Sequence, residues 1–136
     1  MMTYALDTNV IIDYLRKNKI IAYNMLKADD DGHILAIPSI VYYEVMRGFK
    51  ETAMTKRFNA FQILLGKLKL LYLEENNMKA LNIAAKIYES IRKTGNLIED
   101  NDIFIAAAAM ANDATLVTDN IKHFERVEGL AVVNWK

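Results

Sequence analysis

Cysteine is absent from the 136 residues, which excludes disulfides, thiolate nucleophiles and sulfur-rich zinc sites and makes a reducing compartment, the cytoplasm, the expected location. Only two histidines occur, His33 and His123, with no ligand spacing between them, so a zinc site is not expected. One proline and five scattered glycines leave no linker and no glycine-rich phosphate loop, which removes the dinucleotide and nucleoside-triphosphate readings. Ser39 lacks the glycines of a nucleophile elbow and reads as a helix cap after Pro38. The longest apolar run, Ile103 to Ala111, is too short to cross a bilayer, and Met1 leads into a strand-like segment rather than a targeting signal, so no membrane partner is expected. Neither sign of charge dominates either. Seventeen basic and seventeen acidic residues balance, which argues against gripping nucleic acid by overall charge.

What remains is a chain rich in apolar residues, 53% by composition. A chain of this length fits one domain, 1–136, and buries roughly two-thirds of the surface its unfolded form exposes. Short apolar segments read as strands: Thr3 to Leu6, Ile34 to Ile37, Leu70 to Leu73, Thr115 to Thr118 and Ala131 to Val133. Between them the period changes to that of a helix. Helices are expected from Thr8 to about Lys17, from about Lys19 to Ala28, from near Ile40 to about Phe49, and after Thr52, where Phe58, Phe61, Leu65 and Leu68 share a face. A long helix carrying Ala80, Ala84, Ile87 and Ile91 ends at Gly95, an alanine-rich helix spans Asp102 to Asn112, and a helical turn covers Ile121 to Phe124. Strands alternating with helices imply an α/β fold: a short parallel sheet of about five strands covered by helices on both faces, in three layers.

Four acids stand out against that frame. Asp7 follows the first strand and Asp119 follows Leu116 and Val117, both at the carboxyl edge where open α/β sheets place their sites. Each also suits a helix N-cap. Glu44 lies within the apolar stretch Ile40 to Met46, where an unpaired carboxylate is costly and the plain alternative is a pair with Arg47 or a lysine. Asp102 shares a helical face with Ile105, Ala106 and Ala109, although Glu99 and Asp100 compete with it and a first-turn acid is favoured by the helix dipole alone. If the four converge, a hard divalent cation held by oxygen, Mg²⁺ or Mn²⁺, is the fitting partner, with phosphate chemistry its usual work. Without that cation the acids repel, so at least one should titrate high, and neutralising Asp102 should leave the fold as stable or more so. Arg16, Lys17, Lys56 and Arg57 are among the cations placed to border a cleft. The first two helices hold more apolar residues than one core face needs, Ile20, Tyr23 and Leu26 among them, which marks an interface.

Taken in order, Leu6-Asp7-Thr8-Asn9, Pro38-Ser39 with Tyr43-Glu44-Val45, Asp102-Ile103-Phe104-Ile105-Ala106-Ala107 and Thr115-Leu116-Val117-Thr118-Asp119-Asn120, followed by His123-Phe124 and Asn134-Trp135, resemble the PIN-domain ribonucleases, and within them the VapC-type toxins of toxin–antitoxin pairs. The resemblance implies metal-binding, catalytic acids at Asp7, Glu44, Asp102 and Asp119, the last being the variable position. It implies supporting polar residues at Thr8, Asn9, Thr118 and Asn120, and Mg²⁺- or Mn²⁺-dependent cleavage of RNA. A homodimer and a small antitoxin protein are the implied partners. A non-catalytic PIN-like module that binds RNA or protein is the alternative. A receiver-type phosphoacceptor domain would need an acid pair after the first strand and a lysine after the last, and neither is present.

Overall fold

A computed structural model of the chain describes residues 1–51 and 54–136. Its elements are β1 (Thr3–Leu6), α1 (Thr8–Leu15), α2 (Lys19–Asp30), β2 (Ile34–Pro38), α3 (Ser39–Glu51), α4 (Thr55–Leu65), β3 (Lys69–Leu71), α5 (Glu75–Thr94), α6 (Asp100–Ala111), β4 (Thr115–Val117), α7 (Ile121–Phe124) and β5 (Val132–Val133). The strands form one sheet in the order β3-β2-β1-β4-β5, and every pairing is parallel. Parallel neighbours need crossovers, and right-handed crossovers put the helices that follow β1 and β2 on one face and those that follow β3 and β4 on the other. The α/β sheet with flanking helices expected from the sequence is therefore what the chain adopts.

Burial explains why these strands are nearly continuous apolar runs. Ala5, Leu6, Ala36, Ile37, Leu71, Leu116 and Val117 are all buried, as a sheet covered on both faces requires. On α6, Ala106, Ala107 and Ala109 are fully buried. Small side chains there let the helix backbone approach both the sheet and α5, its most extensive partner.

Element boundaries shift where local chemistry overrides the apolar pattern. Helix α1 stops at Leu15, short of Lys17, because Lys17 turns left-handed at φ 64° and Asn18 starts the next helix by accepting from the Ile20 and Ile21 amides. Pro38 is the last residue of β2, paired with Leu71, rather than a break outside it. Thr52 lies outside the described residues, and α4 begins at Thr55 and stops at Gly66, ahead of Leu68. Gly95 ends α5 at φ 73°, a left-handed value that glycine adopts without a Cβ penalty.

Candidate active site

In the strand order 3-2-1-4-5 the sheet reverses its winding between β1 and β4, and the crevice beyond the carboxyl ends of two such strands is the natural site of an open parallel sheet. Asp7 and Thr118 are the residues that leave β1 and β4. The ladder continues into them, with the Asp7 amide donating to Val117 O and the Thr118 amide to Val133 O, each at 3.0 Å.

Asp7 is 5% exposed and Thr118 wholly buried. The Thr118 hydroxyl donates to Asp7 Oδ2 at 2.8 Å, and the Thr8 amide donates to Asp7 Oδ1 at 2.8 Å. Asp7 is thus the N-cap of α1 and the centre of the crevice together; the two readings of this residue coexist. Asn9 Nδ2 donates to Asp7 Oδ2 at 3.3 Å, while Asn9 Oδ1 is buried without a hydrogen-bond partner. From α3, Glu44 Oε1 accepts from the Thr8 hydroxyl at 2.8 Å. Arg47 does not pair with Glu44; its guanidinium sits over the Tyr43 ring, 5.4 Å from the centroid.

Burial drives the Asp7 carboxyl up from its usual 3.8 to about 6, against the lowering effect of the Thr118 and Thr8 hydrogen bonds. The charges of Asp102 and Glu44 add to the rise. The expected high-titrating acid is present, with desolvation rather than mutual repulsion as its first cause. Through-space coupling also identifies the three acids that converge, and it selects Asp102 over Glu99 and Asp100, which are exposed.

Two acids carry partners that sequence reasoning missed. Asp102, in the first turn of α6, has His123 Nε2 at 2.7 Å from its Oδ2. Neutralising Asp102 therefore changes a hydrogen bond as well as a repulsion. Asp119 is exposed, and its nearest cation is Lys136 Nζ at 3.9 Å, which also pairs with Asp13 at 3.1 Å. Beside Asp7, the group from the end of β4 is Thr118, which in turn accepts from the Asn120 amide at 3.0 Å. Among the described residues, no three acidic or imidazole side chains are grouped as ligands for one ion.

A cleft of about 190 Å³ opens beside Glu44, walled by Ile12, Leu15, Val45 and Phe49 with Arg16 and Arg57 on its border. Arg16 and Arg57 recur with Lys17 and Lys56 around an adjoining cleft. Four of the cations singled out in the sequence therefore do lie together, next to one of the acids.

A buried, high-titrating aspartate at the switch point, with two further carboxylates coupled to it and a basic cleft alongside, defines an acid-centred site of the kind used on phosphates. The PIN domain matches residues 4–130. The chain is 31% identical over 135 residues to Ribonuclease VapC2 of Rickettsia felis, and 34% identical over 137 residues to Ribonuclease VapC1 of Haemophilus influenzae, with 98% of each chain covered in both cases. Among solved structures it superposes on VapBC2 from Rickettsia felis bound to a promoter DNA fragment with a TM-score of 0.89 at 30% identity, covering 99% of this chain and 100% of the other. For VapBC-1 from nontypeable Haemophilus influenzae the TM-score is 0.83 at 31% identity, with 98% of each covered. The chain belongs to the PIN-domain family.

Proposed function

We propose that residues 1–136 act as one PIN-like domain, a metal-dependent endoribonuclease that serves as the toxin of a type II toxin–antitoxin module. The observation that carries the reading is Asp7, buried at the sheet's switch point and raised in pKa partly by Asp102 and Glu44, in a chain whose relatives are named VapC ribonucleases across nearly their whole length. The donor set fits Mg²⁺ or Mn²⁺, because it is made of hard oxygen atoms, its charges already act on one another, and Asn9 Oδ1 adds a spare buried acceptor. Asp7, Glu44 and Asp102 would hold the ion, and Asp119 would stand at the rim. Such an ion, when bound, lowers the pKa of a water and neutralises charge on a phosphate oxygen.

The chain's own residues prepare that chemistry. Thr118 and Thr8 fix one oxygen each of Asp7 and Glu44 by neutral hydroxyl donors, which orient a carboxylate without cancelling its charge. Arg16, Lys17, Lys56 and Arg57 supply the attraction for a phosphate backbone that four acids alone would repel. Among the described residues, no side chain is placed as a covalent nucleophile.

The cognate partner is a small antitoxin, in keeping with the similarity of the chain to VapBC2 of Rickettsia felis and VapBC-1 of Haemophilus influenzae. Ile20, Tyr23 and Leu26 on α2 leave 57%, 64% and 60% of their surface exposed, the apolar face such a partner would cover. We place the protein in the cytoplasm as a homodimer; no helix among the described residues is long and apolar enough to cross a membrane. The second reading is a PIN-like module that binds RNA or protein without catalysis. One assay separates them: the purified protein should cut RNA with Mg²⁺ or Mn²⁺ and stop with chelator, and an equally folded Asp7→Asn variant with full activity would reject the site.

A further inference from the structure

Thr118 and His123 stand five positions apart on one short stretch of chain, and each sends a donor to a different acid of the site. Thr118 reaches Asp7. His123, from the four-residue α7, reaches Asp102. The stretch between them is fixed at both ends: the Asn120 amide donates to Thr118 Oγ1, and Phe124 is buried at 1% exposure with the His123 ring packed edge-on against it, 5.3 Å between centroids. A buried neighbour on one side and a short bond on the other leave the imidazole little freedom. An ionised carboxylate only accepts, so Nε2 is the donor in this contact.

We propose that His123 is a positioning residue that holds the Asp102 carboxylate in the orientation the site requires. The inference rests on the nuclease reading above. Asp102 needs such a partner more than its neighbours do. Asp7 has three donors from the chain and lies within the core, whereas Asp102 is a first-turn residue with 29% of its side chain exposed. A carboxylate facing two others would otherwise swing toward solvent, and outer partners that hold a metal-binding carboxylate typically contribute 10- to 100-fold to affinity or activity.

The test compares wild type with His123→Ala, His123→Gln and His123→Asn. Glutamine offers an uncharged donor at about the reach of Nε2, and asparagine offers the same donor too short to arrive. Melts in chelator establish folding, Mn²⁺ affinity is read from the electron paramagnetic resonance signal of the free ion, and RNA cleavage is measured at saturating Mn²⁺. Alanine and asparagine should weaken Mn²⁺ binding by roughly tenfold or more, with cleavage reduced, while glutamine stays within a few-fold of wild type in both. Equal Mn²⁺ affinity and cleavage in wild type and the alanine variant would overturn the inference, and so would equal losses with glutamine and asparagine. Should the alanine variant fail to fold, the glutamine–asparagine difference decides alone. A wild type that neither binds Mn²⁺ nor cuts RNA overturns the nuclease reading itself, and this inference with it.

Discussion

Asp7 and Glu44 are served by hydroxyls, Asp102 by an imidazole and Asp119 by a lysine. The first pair accepts from Thr118 and Thr8; the second lies against His123 and Lys136. A hydroxyl orients a carboxylate and leaves its charge to act outward, whereas a cationic partner already answers part of that charge. The inner acids thus keep their charge facing outward, while Asp102 is oriented by His123 and Asp119 is shared with Lys136. Exposure separates only the extremes, Asp7 in the core and Asp119 in solvent, with Glu44 and Asp102 both half-buried.

The sharpest way to break this comparison is to neutralise one acid from each pair. Asp7→Asn should lower RNA cleavage by more than roughly 100-fold, beyond the usual effect of an outer partner, and Asp119→Asn by less than about tenfold; equal losses in a single-turnover assay would erase the distinction. Next in size is Thr118→Val, which keeps the shape of a fully buried side chain and removes the donor to Asp7. Denaturant titration should show a loss of about 1–3 kcal/mol, the cost of leaving a buried partner unsatisfied, with cleavage reduced as well.

A third test uses pH, in the presence of chelator. The folded state keeps a proton on Asp7 up to about 6 whereas the unfolded chain releases it near 3.8. The folded state therefore binds more protons in that window, and stability falls as pH rises through it, by at most about 3 kcal/mol. Melting temperature should decline over this range in wild type, and that component should be missing in Asp7→Asn, whatever offset its lost hydrogen bonds introduce. The smallest effect is expected from Lys136→Met. Its pairs with Asp13 and Asp119 are partly exposed, so less than about 1 kcal/mol should be lost and the Asp7 component of the pH profile should be unmoved.

The inner pair was also the more legible in the sequence. Asp7 sits directly after an apolar strand and Glu44 inside an apolar helix, and both signals are local, so periodicity marks them as candidates beside the helix-cap and ion-pair alternatives. Asp102 was marked by the alanines behind it. Asp119 occupies the expected strand end yet points to the rim, because side chains alternate along an extended chain and the inward place belongs to Thr118. The partners His123 and Lys136 left no such trace. His123 meets Asp102 across 21 positions and Lys136 meets Asp119 across a turn and a strand, and no period links residues joined only by the way the sheet closes. The parallel order of the strands follows from alternation with helices, but the end of α1 follows from the left-handed Lys17 and the cap that Asn18 makes for α2, both of them effects of single residues.

The bond between Thr118 and Asp7 joins residues 111 positions apart, and β4 reaches β1 only after every helix from α1 to α6 has been made. Long-range parallel pairing of this kind forms late and slowly. A growing chain therefore carries Asp7 and Glu44 for most of its synthesis with no Thr118 to seat the first and no Asp102 to complete the group. A partial chain lacking β4 has no Thr118 hydroxyl for Asp7, so the inner acid is seated only when the last inner strand takes its place.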